Sequence, residues 1–359
     1  MIRRILTSPC SVAHRTIEKR SVSHRPWLSR QSWWLFLRNT IYSIPCTNLF
    51  FSNCQRKEEP VPKFDRGNAT TVQIELFPNY KNQVWYSLST NKVVSANLKT
   101  DWDIAFEASA EGWHIILNGS KSMRASQLEI SDLAIIKDTS NSTIQAKPDM
   151  PSGNLDSTAI GDWRNKEVCY LINRGYNENA KFQAFWKLKV KSFNATSFTF
   201  EYGDVYGKTV FEGFVNKNSL YRFNAFSFTS KQQIQIEPPL NMYDLCFTQF
   251  TTVFTEPSFQ YYQVTGVLTG SDIEVLRIPN KVFSEISITD TTLSTFSKRA
   301  DVIGHDWKSY NLETNVYTTY DKIGYIIKDA QGFYYKLHFI DFYNDKGEKG
   351  YPVFEFIKM

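Results

Sequence analysis

The sequence predicts an all-β protein made of two tandem related antiparallel β units, with short helices in the connections. Three observations carry this. First, the stretch Asp101-Trp102-Asp103-Ile104-Ala105-Phe106 returns as Met242-Tyr243-Asp244-Leu245-Cys246-Phe247, so that aromatic, Asp, aliphatic, small and Phe recur in order. Second, 9 Trp, 19 Tyr and 27 Phe make 15% of the chain aromatic, a composition that suits half-buried pleated surfaces. Third, apolar residues alternate with polar ones at a period of two, and no segment carries a long helical period.

Residues 1–53 read as an export region. They hold eight Lys/Arg against the single acid Glu18. The run 31–53 is apolar, but Arg38, Asn39, Pro45 and Asn48 interrupt it, too often for a span of about 20 apolar residues. It resembles a signal's apolar core ending Leu49-Phe50-Phe51-Ser52-Asn53-Cys54. This is similar to a bacterial lipoprotein signal, in which the Cys after the run is lipidated and becomes the mature N-terminus. Asn53 departs from the usual small residue at its position, and Ser52 fits a relaxed version. The basic extension before residue 31 reads as sequence upstream of the true start. A mitochondrial transit peptide is the rival reading, because the leader is Arg/Ser-rich and acid-poor. Residues 54–69 are expected to form a polar tether.

The body is expected to be a duplication, with half A at 70–215 and half B at 216–359. Trp85-Tyr86-Ser87-Leu88-Ser89 aligns with Ala225-Phe226-Ser227-Phe228-Thr229. Ile160-Gly161-Asp162-Trp163 echoes Ile303-Gly304-His305-Asp306-Trp307. Tyr170-Leu171-Ile172-Asn173 matches Tyr325-Ile326-Ile327-Lys328, and Phe185–Val190 matches Tyr334–Phe339. With the opening block, that makes five matches in one order. Within them, Val72, Ile74 and Leu76 alternate with polar residues, as do Phe198 and Phe200, and Tyr335, Leu337 and Phe339. Short helices are expected within 126–137 and 281–299. The stretch 138–162, rich in Ser, Asn, Asp, Pro and Gly, reads as a loop.

Charge and motifs exclude several functions. The chain has a formal charge of +5, but beyond residue 53 it carries 33 basic and 35 acidic side chains. A basic nucleic-acid-binding body is therefore not indicated. Gly-rich phosphate loops, His-x-x-x-His and Cys-x-x-Cys spacings are missing from the sequence, which leaves a hydrolase as the weakest reading. Cys169 and Cys246 read as small buried apolar side chains. Asp103 and Asp244 read as a repeated turn or backbone cap, since a buried carboxylate needs several donors or a cation.

At these blocks the body resembles the HmuY-like proteins of Bacteroidetes, all-β surface lipoproteins whose type member captures haem. The residues carrying the resemblance are Tyr86-Ser87-Leu88 with Trp102–Phe106, then Phe226-Ser227-Phe228, Tyr243–Phe247, Val264-Thr265-Gly266-Val267, Tyr325–Lys328 and Tyr334-Tyr335-Lys336-Leu337. The resemblance covers 70–359, once per half, whereas the type member has a single copy. It implies a non-enzymatic, lipid-anchored protein of the outer membrane surface, with Cys54 as anchor and haem or a related apolar ligand as cargo. An outer-membrane receptor or other surface partner is also implied.

Haem would require axial donors from His, Met, Cys or Tyr, and the resemblance implies a pair of His or of Met on loops. His114 sits beside Trp113, just past the repeated block. Met123 and Met150 bracket the loop-rich part of half A. These three are the candidate cofactor-binding residues, each against the plainer reading of a hydrogen-bonded strand histidine or a packing methionine. His305 is expected to orient its turn, His338 to face solvent, and Met242 to lie in the core. Two iron-ligating atoms would lie about 4 Å apart, each bond being roughly 2 Å by analogy with metal–nitrogen bonds. The alternative function is a surface interaction or scaffold module for a glycan, peptide or protein, which exposed aromatics at loop tips would favour.

Overall fold

Alternating apolar residues become twenty strands in the computed structural model, which describes residues 68–140, 146–292 and 294–359. The leader, Cys54 and nearly all of the tether lie outside the described residues. In chain order the strands are β1 (Thr70–Gln73), β2 (Asn82–Ser87), β3 (Lys92–Leu98), β4 (Ile104–Glu107), β5 (Ile115–Leu117), β6 (Arg124–Leu128), β7 (Cys169–Asn173), β8 (Phe185–Phe193), β9 (Ser197–Asp204) and β10 (Phe211–Asn216). There follow β11 (Phe223–Ser227), β12 (Gln232–Ile234), β13 (Leu245–Phe254), β14 (Gln260–Thr269), β15 (Glu274–Pro279), β16 (Lys308–Asn311), β17 (Val316–Thr319), β18 (Ile323–Lys328), β19 (Tyr334–Tyr343) and β20 (Lys349–Lys358).

Four sheets hold the structure, with β16 and β17 forming a separate hairpin. Two sheets have five strands, in the orders β1-β20-β19-β18-β15 and β10-β9-β8-β7-β6. Two have four strands, in the orders β14-β13-β2-β3 and β12-β11-β4-β5. Both four-stranded sheets draw one hairpin from each half of the chain. β2 pairs with β13 through Tyr86 and Leu245, and β4 pairs with β11 through Ala105 and Ala225. The two halves are thus joined through shared sheets, and the described residues belong to one compact unit, Lys63–Met359.

The period of two places successive side chains on opposite faces of each strand, and this stacks the sheets. On β2, Val84 and Tyr86 point into the core shared with the β1-β20-β19-β18-β15 sheet, among Tyr325, Leu337 and Phe354. Trp85, between them, points the other way. On β4, Ile104 and Phe106 face the β10-β9-β8-β7-β6 sheet, among Phe198, Phe200 and Leu188. Ala105 points the opposite way, toward Trp85 and Cys246. Two large aromatic cores therefore flank a smaller central one. Its centre carries Ala105, Ala225 and Cys246, which cannot fill the ~10 Å between packed sheets.

The expected helices are shorter than the sequence suggested. Residues 126–128 close β6, and the helical turns at 133–135, 283–285 and 288–292 are tight turns of three to five residues. Asp132 caps the first through a hydrogen bond from Ala134 N. Polar Ser and Thr between the few apolar residues of 281–299 give no continuous apolar stripe for a longer helix to bury.

Candidate functional site

Against the central core lies a cavity of about 220 Å³ that opens to solvent on one side. Its apolar walls include Trp85, Trp102, Phe223, Tyr243, Ile236 and Phe250, with Ala105, Ala225 and Cys246 leaving the space between them. These positions come in matched pairs from the sequence alignment: Trp102 with Tyr243, Ala105 with Cys246, and Trp85 with Ala225. The cavity thus lies where the two repeated blocks face each other.

A fixed polar network forms one side. Trp102 Nε1 donates to Gln83 Oε1 at 2.9 Å, and Gln83 Nε2 donates to Thr248 Oγ1 at 2.9 Å. Asn118 Nδ2 donates to the carbonyls of Lys99 at 2.7 Å and Trp102 at 2.8 Å. With their groups paired, these side chains hold the wall in one shape. Two carboxyl groups also line the cavity. Asp149 accepts from Leu117 N at 2.6 Å and Ala159 N at 2.5 Å, pinning the 138–162 loop across β5. Burial nevertheless pushes its pKa up to about 6. Glu237 accepts from Phe223 N at 2.7 Å. Burial pushes it up to about 7, against the lowering effect of that bond and of Arg222.

The raised pKa of Glu237 has a sign. The folded state holds its proton more tightly than the unfolded chain does, so its contribution to stability is fully present below the unfolded value of about 4.5 and is lost as pH rises through about 7. Asp149 and Asp244, both pushed up to about 6, act in the same direction. Urea denaturation across this range should show stability falling as pH rises, with a shallower fall for Glu237→Gln. An unchanged slope in that variant would remove Glu237 from the account.

The sequence-predicted donors do not converge. Met150 lines the cavity. Met123 is fully buried in the neighbouring core, among Ile104, Phe106 and Tyr170. His114 is held outside the cavity, its Nδ1 2.6 Å from Glu107 Oε2 and its ring stacked on Trp113 at 3.8 Å. Burial pushes Glu107 up, but the hydrogen bonds from His114 outweigh it and hold that carboxyl below its usual value. His114 Nε2 has no hydrogen-bond partner and lies 3.8 Å from Asp156 Oδ1. His305 packs against Phe250 and Phe254. His338 is not solvent-facing as expected: it stacks on Phe283 at 4.2 Å, because the 283–285 turn folds over β19. Met242 is not core but 55% exposed, since it sits in the turn before the block.

The residues lining this cavity do not supply two axial side chains for a haem iron. No histidine among the described residues lines the cavity, and of the three candidates only Met150 reaches it. Cys246 is a second sulfur in the wall, but burial pushes its thiol far up, away from thiolate. An apolar cavity of roughly 150 Å³ holds benzene, so the space here suits one or two fused rings. Pockets for drug-sized ligands run from about 300 Å³ upward.

Sequence reasoning did not find the cavity walls. The signal was present in the repeated block itself, whose small residue recurs as Ala105 and Cys246.

The family profile described as HmuY protein matches residues 79–356 in one span. Among curated protein sequences, none matches this chain. Several solved structures are similar to it, among them the following two. Apo PinO from Porphyromonas gingivitis has 9% identity and a TM-score of 0.32, covering 82% of this chain and 98% of that one. The apo HmuY analog of Tannerella forsythia has 10% identity and a TM-score of 0.24, covering 81% of this chain and 96% of that one. Similarity at this level carries no residue correspondence.

Proposed function

Because the chain belongs to the HmuY family, we propose that it is a non-enzymatic, lipid-anchored protein of the outer membrane surface that captures a small flat apolar ligand in its central cavity. Cys54 is the proposed anchor. The family's typical cargo, haem, motivates the apolar ligand class. The carrying observation is the cavity of about 220 Å³, walled by Trp85, Trp102, Phe223 and Tyr243 and set between paired sheets. Its size and donor set favour a ligand of one or two fused rings over an iron-ligated porphyrin.

We further propose that the body arose as two tandem copies. The five sequence matches support this, as do the matched strand orders of the two five-stranded sheets. The equivalence sets β10 against β1, which puts the join between β9 and β10 rather than after residue 215.

Calorimetry with indole, alongside haemin titration followed by absorbance, tests the ligand reading. Saturable one-to-one indole binding is expected, with no haemin spectrum that changes in His114→Ala, Met123→Ala or Met150→Ala. Tight stoichiometric haemin binding lost in one of those variants would overturn it in favour of axial ligation.

A second reading rests on the β13–β14 hairpin, where Phe259 is 64% exposed and Tyr262 53% exposed. Exposed aromatics at a loop tip favour contact with a glycan or protein partner.

A further inference from the structure

A second cleft, of about 440 Å³, shares no lining residue with the central cavity. Its volume falls within the range of about 300–1,000 Å³ typical of small-ligand sites. Three connections build it. Arg174 follows β7, residues 204–209 lead from β9 toward β10, and Thr229 and Lys231 lie between β11 and β12. Trp186 from β8 and Phe211 from β10 add half-buried aromatic surface.

The charge behind this cleft is unbalanced. Asp103 is fully buried, and two cations pair with it: Lys121, 1% exposed, and Arg174, 6% exposed. Two cations on one carboxylate leave a net positive charge almost out of reach of water. That is costly unless an anion joins it or a proton leaves. Arg174 connects this charge to the cleft. Its Nε and Nη2 donate to Asp103, both at 3.0 Å, and Nη2 also donates to Thr229 Oγ1 at 2.7 Å. A guanidinium carries five donors, and these bonds leave Nη1 unused on a residue that lines the cleft. Lys208 and Lys231 bring two exposed ammonium groups to the rim. The Lys231 ammonium rests 3.7 Å over the Phe211 ring rather than on a carboxylate.

Asp204 sets a further condition on the ligand. It is the acid among these cations, and its Oδ1 accepts from Tyr206 N at 2.8 Å and Gly207 N at 2.9 Å. A bare anion would be repelled by it, whereas a ligand that also carries hydroxyl groups can donate to its other oxygen. Thr209 and Thr229 offer hydroxyls beside it. Trp186 is backed by Phe228 in a parallel stack at 5.2 Å, so its ring is a fixed apolar platform. We propose that this cleft binds a sugar of the uronic-acid type, with the carboxylate among Arg174, Lys208 and Lys231, the ring's CH face on Trp186 and a hydroxyl on Asp204. Each lining group then has a partner of matching chemistry, and the carboxylate makes charge-assisted hydrogen bonds that balance the buried excess.

The test titrates the full chain with digalacturonate at neutral pH and low salt, followed by tryptophan fluorescence. Saturable one-to-one binding is expected, weakening as NaCl is raised and unaffected by indole. Galactobiose, which has the hydroxyls without the charge, and benzoate, which has the charge without the hydroxyls, should each bind about tenfold more weakly or worse. The double variant Lys208→Ala/Lys231→Ala changes only exposed side chains, so it should fold as the wild type does and lose about tenfold or more in affinity. Asp204→Asn keeps an oxygen for Tyr206 N and Gly207 N, and it should weaken digalacturonate while strengthening benzoate. Benzoate binding as tight as digalacturonate, or digalacturonate strengthened by Asp204→Asn, would overturn the sugar in favour of any small anion. Full affinity in the double lysine variant would place the sugar elsewhere on the protein. No digalacturonate binding at all would overturn the proposal and leave proton loss from Lys121 as the way the buried charge is balanced.

Discussion

Asp103→Ala is expected to lose about 3–5 kcal/mol of stability, the cost of stranding buried charge by removing one partner. Lys121 and Arg174 both donate hydrogen bonds to the buried Asp103 carboxylate and are themselves almost fully buried, and burial already disfavours the charged form of Lys121. Without Asp103 neither cation keeps its carboxylate, and Phe228 N loses its acceptor. Asp244→Ala removes one hydrogen bond to Leu88 N, worth about 1–3 kcal/mol as an unsatisfied buried donor. It also relieves a buried charge that no protein cation compensates. The aligned substitutions should therefore differ by several-fold in cost, as read from urea midpoints at equal slope. Equal losses would show that the ion network around Asp103 adds nothing beyond the backbone cap common to both halves.

Ala225→Phe should abolish indole binding, with an affinity loss of more than about tenfold, while the protein stays folded. Ala225 faces Trp85 and Cys246 across the gap between the central sheets, and its methyl group borders open space. A phenylalanine ring would occupy the volume proposed for the ligand. Overpacking costs of about 1–3 kcal/mol are expected where a new ring meets Trp102 or Phe223. Circular dichroism and the melting curve separate loss of the cavity from loss of the fold. Unimpaired binding in a folded Ala225→Phe protein would place the ligand elsewhere, with the exposed aromatics at the β13–β14 tip as the next surface to examine.

The strands were legible because their signal is local. Val72, Ile74 and Leu76 alternate with polar neighbours, and the pleat makes that pattern a buried face. The recurring block was legible for the same reason, and its strands β4 and β13 carry it. Which strands pair was not legible. Tyr86 meets Leu245 from nearly half the chain away, and nothing near either residue encodes that partner. The cavity was hidden because small side chains leave its space between the aromatic walls, and alanine on a strand carries no local mark of what it faces. His114 drew attention as a metal-ligating type, yet it is engaged with Glu107 and Trp113.

The exchange of hairpins between the central sheets bears on how the chain reaches this state during synthesis. The edge of β2 that receives β13 stays open until residues far downstream emerge, and β4 likewise waits for β11. Long-range pairing of this kind folds slowly, and an unpaired strand edge is a template for aggregation. The first half cannot close its own layers as it is made, so its strand edges stay open until the second half emerges. The same interlock opposes unfolding afterwards, because neither half can leave without tearing strands from both central sheets.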